Sequence, residues 1–441
     1  MTVANDSGPI TSPCLETATL RIDHQGLLVA VMAAVFSAVT LAQSVPAERI
    51  LVLTGARVYA SPRDRVIENG AVVIRNDKIV YVGSRDDRRV PKDATVIDCT
   101  GQIVTAGFWN SHVHFTDARW ERASSMPTVA LSDLIQQMLM RHGFTTVFDS
   151  GSYWSITTAL RRRIETGALT GPRIRTAGEI LFPKGGALPP SMLKSLGMIV
   201  GEMPQMETPA EASLVARTML DRGADAIKVY LATWWNDPPE RMSPAIVRAI
   251  SDVTHRRRKL VLGHPTDLQG IETALAGGVD VLMHTTPASG PWTETLAARI
   301  RQQRVALTPT LKLWRVELFR AGESEANARA AQQVAVDQLR TFVRVGGEVL
   351  FGTDVGYMQD DDPTEEYELM ASAGMHYTQI LASLTTAPAA RFGDAGREGR
   401  VAPGQVADLL VLDADPAHDV TAFARVARVI RNGRIIYEKA R

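Results

Sequence analysis

At 441 residues, with 45% hydrophobic and 22% charged content, the sequence has the make-up of an ordinary globular protein with room for more than one domain. Its 48 Lys and Arg balance its 48 Asp and Glu to a formal net charge of zero, which leaves no basic excess for nucleic acid. The two cysteines, Cys14 and Cys99, exclude a disulfide framework and any CxxC metal motif, so a metal would have to be held by His, carboxylate or a less usual ligand.

The first feature along the chain is the apolar run GLLVAVMAAVFSAVTLA, from Gly26 to Ala42. It falls short of the roughly 20 residues of a membrane span. It ends in small residues, with Thr40 and Ala42 at the −3 and −1 places of a cleavage site. Residues 1–42 therefore read as a signal peptide of an exported protein, with no stable membrane span after cleavage. A retained anchor is the alternative, because Arg21 is the only clear positive charge ahead of the run.

Residues 43–103 read as strands (RILVLTGARVYA, AVVIRNDKIVYVG, ATVIDCTGQIV) separated by turn-formers. Residues 391–441 read alike, with VADLLVLDAD, ARVIRNGRIIYEKA and a type I′ turn at Asn432-Gly433. Two strand-rich ends around one large middle predict a single small β-sandwich domain built from both termini; two separate flaps are the alternative.

The middle, residues 104–390, repeats another rhythm. A helix-like stretch ends in Gly, then a short Val/Ile/Leu run closes on a polar residue: LMRHG before FTTVFDSG, MLDRG before ADAIKVY, ALAGG before VDVLMHT, FVRVGG before EVLFGTD. Glycine suits the left-handed position after a helix, and the apolar run suits a strand buried on both faces. With GQIVTAGFWNSHVHF, PRIRTAGEI, KLVLGHP and VALTPTL there are eight such strands, which predict an α/β fold of the (β/α)8 TIM barrel type. A doubly wound open sheet is the alternative, disfavoured because no GxGxxG follows the first strand.

Catalytic groups of such barrels sit at the C-terminal ends of strands. Those ends carry His112 and His114 on one side of strand 1, Lys228 on strand 4, His264 on strand 5, His284 on strand 6 and Asp354 on strand 8. Any one alone reads as structural. Their convergence would be costly without a cation, and imidazole and carboxylate suit zinc and related divalent ions. A buried Lys228 beside positive charge would be a neutral amine, open to carbamate formation with carbon dioxide. A Schiff-base lysine or a barrel-lining lysine paired with an acid are the other readings.

GFWNSHVHF, AIKVY, VLGHP, LMHTT and FGTD, in this order, together with VAPGQVADLLVLDADP, resemble the amidohydrolase superfamily, and within it the prolidase-like and imidazolonepropionase-related branch. The resemblance covers most of the chain after Ala42. It implies two divalent metal ions, zinc in the first instance. One would be held by His112, His114 and Asp354 and the other by His264 and His284, with an N6-carboxylated Lys228 bridging them. It implies attack on an amide carbonyl by a hydroxide bridging the metals, with Asp354 as the catalytic proton carrier. It also implies that Tyr230 contacts a substrate carboxylate; barrel packing is the other reading.

Asp149, closing strand 2, reads as structural rather than catalytic, and His142 as a helix-terminus residue at the wrong end of the barrel. Trp120, Trp154, Trp234, Trp235, Trp292 and Trp314 all follow strands on the catalytic side, either as a lid packed on itself or as an apolar mouth for a bulky substrate. The run Asp360 to Asp362 reads as a solvated acidic loop, with a cationic substrate group as the alternative.

The expected activity is hydrolysis of a C–N amide bond in a dipeptide or N-acyl amino acid, with a small-molecule substrate and a homo-oligomer left open. Opening of a cyclic amide or lactone, or deamination, is the competing enzyme class, and a ligand-stripped assembly protein the non-catalytic one. Deaminases of the superfamily often lack the bridging lysine, which favours the first reading.

Overall fold

A computed structural model describes residues 48–87 and 91–440, so the segment read as a signal peptide lies outside the described residues. The first part of the chain gives strands β1 (Ile50–Val58), β2 (Ile67–Arg75), β3 (Lys78–Ser84), β4 (Thr95–Asp98) and β5 (Ile103–Ala106). Then come β6 (Phe108–Val113), β7 (Phe144–Asp149) and β8 (Arg173–Thr176). A short pair, β9 (Phe182–Pro183) and β10 (Gln205–Met206), precedes β11 (Ala226–Tyr230), β12 (Leu260–His264), β13 (Val281–Met283) and β14 (Ala306–Thr308). The chain ends in β15 (Leu409–Leu412), β16 (Val426–Arg431) and β17 (Arg434–Glu438).

Both termini share one eight-stranded sheet, ordered β17-β16-β15-β5-β1-β2-β3 with β4 added to β1. The chain ends meet where β15 runs antiparallel to β5, Leu409 opposite Ala106. The expected boundary at residue 103 falls inside β5, so the central sheet strands begin at Phe108. Alternation puts Leu51, Leu53, Val72, Ile74, Val104, Leu409 and Val411 into one apolar cluster. At the β16–β17 turn Asn432 and Gly433 have φ of 50° and 65°, the two positive angles a type I′ turn requires. A Cβ on Gly433 would stand 2.0 Å from the Asn76 carbonyl oxygen, so only glycine lets the two hairpins touch there.

The middle of the chain is α/β, with parallel strands alternating with helices. β6-β7-β8 form one parallel sheet and β11-β12-β13-β14 another. Parallel bridges join Leu181 to Val229 and Leu307 to Val349, and a third joins Val113 to Val355. Followed in turn, these pairings return to β6. The expected eighth strand, residues 348–354, is held by isolated bridges at Val349 and just beyond it at Val355 and by single backbone bonds from Leu350 to Leu307, Ser111 to Phe351 and Asp354 to His112, rather than by a continuous ladder. Asp354, at φ 62°, is itself out of the extended region, and the pairing with β6 resumes just after it at Val355. The helix starts are locally encoded: Thr208, Ser243, Asp267, Thr293 and Ser324 each accept a backbone N–H from the first turn of the following helix.

Below the strands, the terminal sheet is tied to the centre by a buried ionic cluster. Arg173 of β8 bonds Glu398 at 2.5 Å and Asp408 at 3.0 Å, and Thr146 of β7 donates to Glu398 at 3.0 Å. The two carboxylate side chains are 2% and 4% exposed, so removing the cation leaves them uncompensated. Arg173→Met is expected to destabilise the fold by about 3 kcal/mol, read as a lowered midpoint in urea unfolding. An unchanged midpoint would show that the cluster is not holding the sheet to the centre.

Candidate metal centre

His112 and His114 lie on alternate residues at the end of β6, so both side chains leave the strand on one side. They meet Asp354. His112 Nε2 is 3.3 Å and His114 Nε2 3.0 Å from Asp354 Oδ1, and the two Nε2 atoms are 3.2 Å apart. His284, just past β13, brings its Nε2 to 4.0 Å from Asp354 Oδ2 and its ring to 4.6 Å from that of His112. His264, ending β12, packs its ring edge-on to His284 at 4.5 Å. His112, His284 and Asp354 each offer a ligand atom within 4.8 Å of the others, and all three are buried.

The outer hydrogen bonds decide where the protons are. His114 Nδ1 lies 2.7 Å from the Gly151 carbonyl oxygen, which can only accept, so Nδ1 carries the proton. His284 Nδ1 lies 2.6 Å from Thr310 Oγ1, whose own hydrogen goes to the Pro309 carbonyl at 2.8 Å. That Nδ1 is therefore protonated as well. Both Nε2 lone pairs then point inward, at a carboxylate whose Oδ1 makes no hydrogen bond. The one neutral imidazole there that can place a proton among these acceptors is His112, whose Nδ1 has no partner, and a single Nε2–H cannot serve both facing nitrogens and the carboxylate, which is costly in a buried site. A divalent cation removes the cost, and the donor set of imidazole nitrogen and carboxylate oxygen fits zinc. Burial, and next to it the neighbouring cationic groups, hold the His112, His264 and His284 imidazoles well below their usual pKa, so they stay neutral and able to ligate.

Lys228 sits inside β11, 1% exposed. Burial pushes its ammonium down to about 7, against the pull of Asp354 and Asp149. No carboxylate lies within ion-pair distance of it among the described residues, which does not support a lysine paired with an acid. The backbone around the centre is strained. Thr266, His284, Thr310 and Asp354 all have positive φ, at 60°, 90°, 46° and 62°. Such angles in non-glycine residues cluster at sites that hold geometry for function. Gly356 permits one further close approach: a Cβ there would meet the His114 carbonyl oxygen at 1.8 Å.

The amidohydrolase family model matches residues 103–436, and these include every one of the six converging residues. The chain belongs to the amidohydrolase family. It is a hydrolase acting on carbon–nitrogen bonds. An ochratoxinase from Aspergillus niger is 22% identical over 409 residues, covering 84% of this chain and 83% of that protein. A prolidase solved in complex with N-methylphosphonate-L-proline is 26% identical with a TM-score of 0.72, over 88% of this chain and all of that one. An Xaa-Pro dipeptidase with methionine in its active site superposes with a TM-score of 0.75 at 21% identity, again over 88% of this chain and all of that one.

In this amidohydrolase, Tyr230 follows Lys228 on β11 and its ring stacks on His264 at 3.9 Å and on Phe182 at 5.0 Å. Asp149 accepts from Ser152 Oγ at 2.5 Å, Thr157 Oγ1 and Thr176 Oγ1 at 2.7 Å and the Gly151 N–H at 3.2 Å. Its carboxylate is thus saturated, and it holds the turn whose carbonyl orients His114. His142 is buried away from the centre, bonded by Arg141 at 3.2 Å and 3.8 Å from Asp361. The acidic run is not a free cluster: Asp360 pairs with Lys312, Asp361 with Arg141, and Asp362 takes the Thr364 N–H and hydroxyl.

Sequence reasoning overlooked Thr310, the Gly151 carbonyl and Glu366. Glu366 is buried and accepts the Leu311 and Lys312 N–H groups at 2.9 Å each, which fixes the start of the helix Leu311–Arg320 directly after Thr310. Burial pushes its carboxyl up to about 7. The Thr-Pro-Thr close of strand 7 was the available signal for Thr310. Nothing local marks Glu366.

Proposed function

We propose that the enzyme hydrolyses the amide bond of a dipeptide or an N-acyl amino acid at a pair of divalent ions, zinc in the first instance, held at one mouth of a closed (β/α)8 barrel. The ring of parallel pairings from β6 back to β6 supports the barrel. The observation that carries the activity is the inward convergence of two proton-free Nε2 atoms and an unbonded carboxylate oxygen.

In this reading His112, His114 and Asp354 would hold one ion and His264 and His284 the other, with Lys228, as its carbamate, supplying a further anionic ligand. Burial supports the carbamate, because an amine pushed down to about 7 is about half unprotonated at neutral pH, against almost none for an ordinary lysine. When bound, the ions supply an activated water and polarise the scissile carbonyl. Asp354 would take the proton released on attack and return it to the leaving nitrogen, being the one carboxylate within 4.0 Å of His112, His114 and His284 among the described residues. Gly151 and Thr310 keep the tautomers of His114 and His284 fixed. Tyr230 lies beside His264, where its hydroxyl would meet the carboxylate of the amino-acid half.

The test is elemental analysis of chelator-free protein together with turnover of a panel of dipeptides and N-acyl amino acids. About two ions per chain and release of free amino acid are expected. About one ion, with ring-opening or ammonia release instead, would replace this reading with a mononuclear cyclic-amide hydrolase or deaminase. No ion after reconstitution with zinc and bicarbonate would remove the catalytic reading altogether.

A further inference from the structure

An unbroken line of aromatic contacts leads from the metal centre to solvent. Tyr230 stacks on His264 at 3.9 Å and an interplanar angle of 16°. Trp235 meets the Tyr230 ring at 5.2 Å and the Phe182 ring at 6.1 Å, both tilted edgewise. Trp234 meets Trp235 edge-on at 5.5 Å and is 45% exposed. Of the other tryptophans that follow strands, Trp314 alone among the described residues also reaches the centre, meeting the His284 ring edge-on at 6.2 Å, and the rest are absorbed elsewhere. Trp120 packs on Phe115 and Trp292 on Phe342 in the core, Trp154 lies under Arg222, and Trp314 donates to Thr285. A lid made of all six is therefore not what the fold builds.

The loop that carries Trp234 and Trp235 stands on a fixed stem. Ala232 bridges Arg241, Thr233 N–H donates to the Glu240 carbonyl at 3.0 Å, and Met242 N–H to the Leu231 carbonyl at 3.0 Å. Arg241 clamps Asp267 with two bonds of 3.1 and 2.6 Å. The tip is not closed on itself. Trp235 Nε1 and Asn236 Oδ1 are shielded from solvent without a hydrogen-bond partner among the described residues, one a donor and the other an acceptor. A lid packed on itself would satisfy both. A rigid stem that displays an indole face, with an unpartnered donor and acceptor just beneath it, is the construction of a binding wall.

We propose that residues 233–240 read an aromatic ring carried by the substrate next to its scissile amide, the ring lying against Trp234 and Trp235 while the amide reaches the centre past Tyr230. This rests on the amide-hydrolase reading above and narrows it to N-acyl amino acids or dipeptides with a ring on one side of the bond. Trp234 and Trp235 then determine specificity without touching the reacting atoms.

The experiment uses the metal-loaded full chain and two substrate pairs, N-benzoylglycine against N-acetylglycine and N-acetyl-L-phenylalanine against N-acetyl-L-alanine. Tryptophan-fluorescence titration with N-benzoylglycine is measured alongside. The aromatic member of at least one pair is expected to have a kcat/KM about ten-fold or more above its aliphatic partner. That ratio is expected to fall about ten-fold in Trp234→Ala and in Trp235→Leu and to recover in Trp235→Phe, which restores a ring. A wild-type ratio near one in both pairs, or a ratio that survives both substitutions, overturns the proposal while amide hydrolysis stands. Saturable quenching by N-benzoylglycine that is lost in both variants, without turnover of any amide, upholds the aromatic wall and overturns the amide-hydrolase reading instead.

Discussion

Asp354→Asn is expected to lower kcat by about 10²–10⁴-fold at full metal loading. Asparagine keeps the shape of the side chain and one oxygen for ligation, but it cannot hold a proton on that oxygen or carry the negative charge. In the folded chain Asp354 Oδ1 stands 3.3 and 3.0 Å from the His112 and His114 Nε2 atoms, while Oδ2 faces His284 at 4.0 Å. No other carboxylate lies within 4.0 Å of those histidines among the described residues, so the protein has no second group to take over proton transfer. Part of any loss comes from weaker metal binding, because a neutral oxygen replaces an anionic one. The measurement therefore pairs turnover with elemental analysis at saturating zinc. Turnover unchanged at full loading would reduce Asp354 to a ligand and move the proton-carrying role to solvent.

The residues that converge here were legible in the sequence because strand geometry is regular. The two-residue spacing of His112 and His114 puts both on one side of β6, and the ends of β12 and β13 place His264 and His284. The helix starts are encoded just as locally, since capping side chains act within three residues. What failed to show was long-range or conformational. The eighth strand looked as good as the other seven, but it pairs only at isolated positions, and the positive φ at Asp354 is a feature that no residue pattern prints. Thr310 matters through a bond to a residue 26 positions away, and Glu366 through two backbone groups more than 50 positions away. The tryptophans misled because position after a strand says which end of the parallel strands a residue follows, not how deep it goes. Trp120 and Trp292 turn into the core, while Trp234 faces solvent.

Lys228→Met is expected to take the metal content from about two ions per chain to about one and to lower turnover by about 10³-fold or more. Methionine fills a similar space at a site that is 1% exposed, so loss of activity cannot be assigned to a cavity. The same variant has a second readout that needs no metal. In the apo protein burial lowers the Lys228 pKa from 10.5 to about 7, so between those values the unfolded chain binds the proton that the folded chain has released. Stability of apo wild type therefore rises with pH across that window and is lost as pH falls toward 7. Methionine removes the group, so the variant is expected to lack this slope and to be the more stable of the two near neutral pH, by unfolding midpoints taken from pH 7 to 10. A variant that loses one ion and the slope together identifies Lys228 as a buried neutral amine, the form that a carbamate requires. A lost slope with two ions retained would leave the lysine buried but remove it from the ligand set. A retained slope would place the charged form in a better-solvated setting than its burial implies, and with it the carbamate would lose its physical basis.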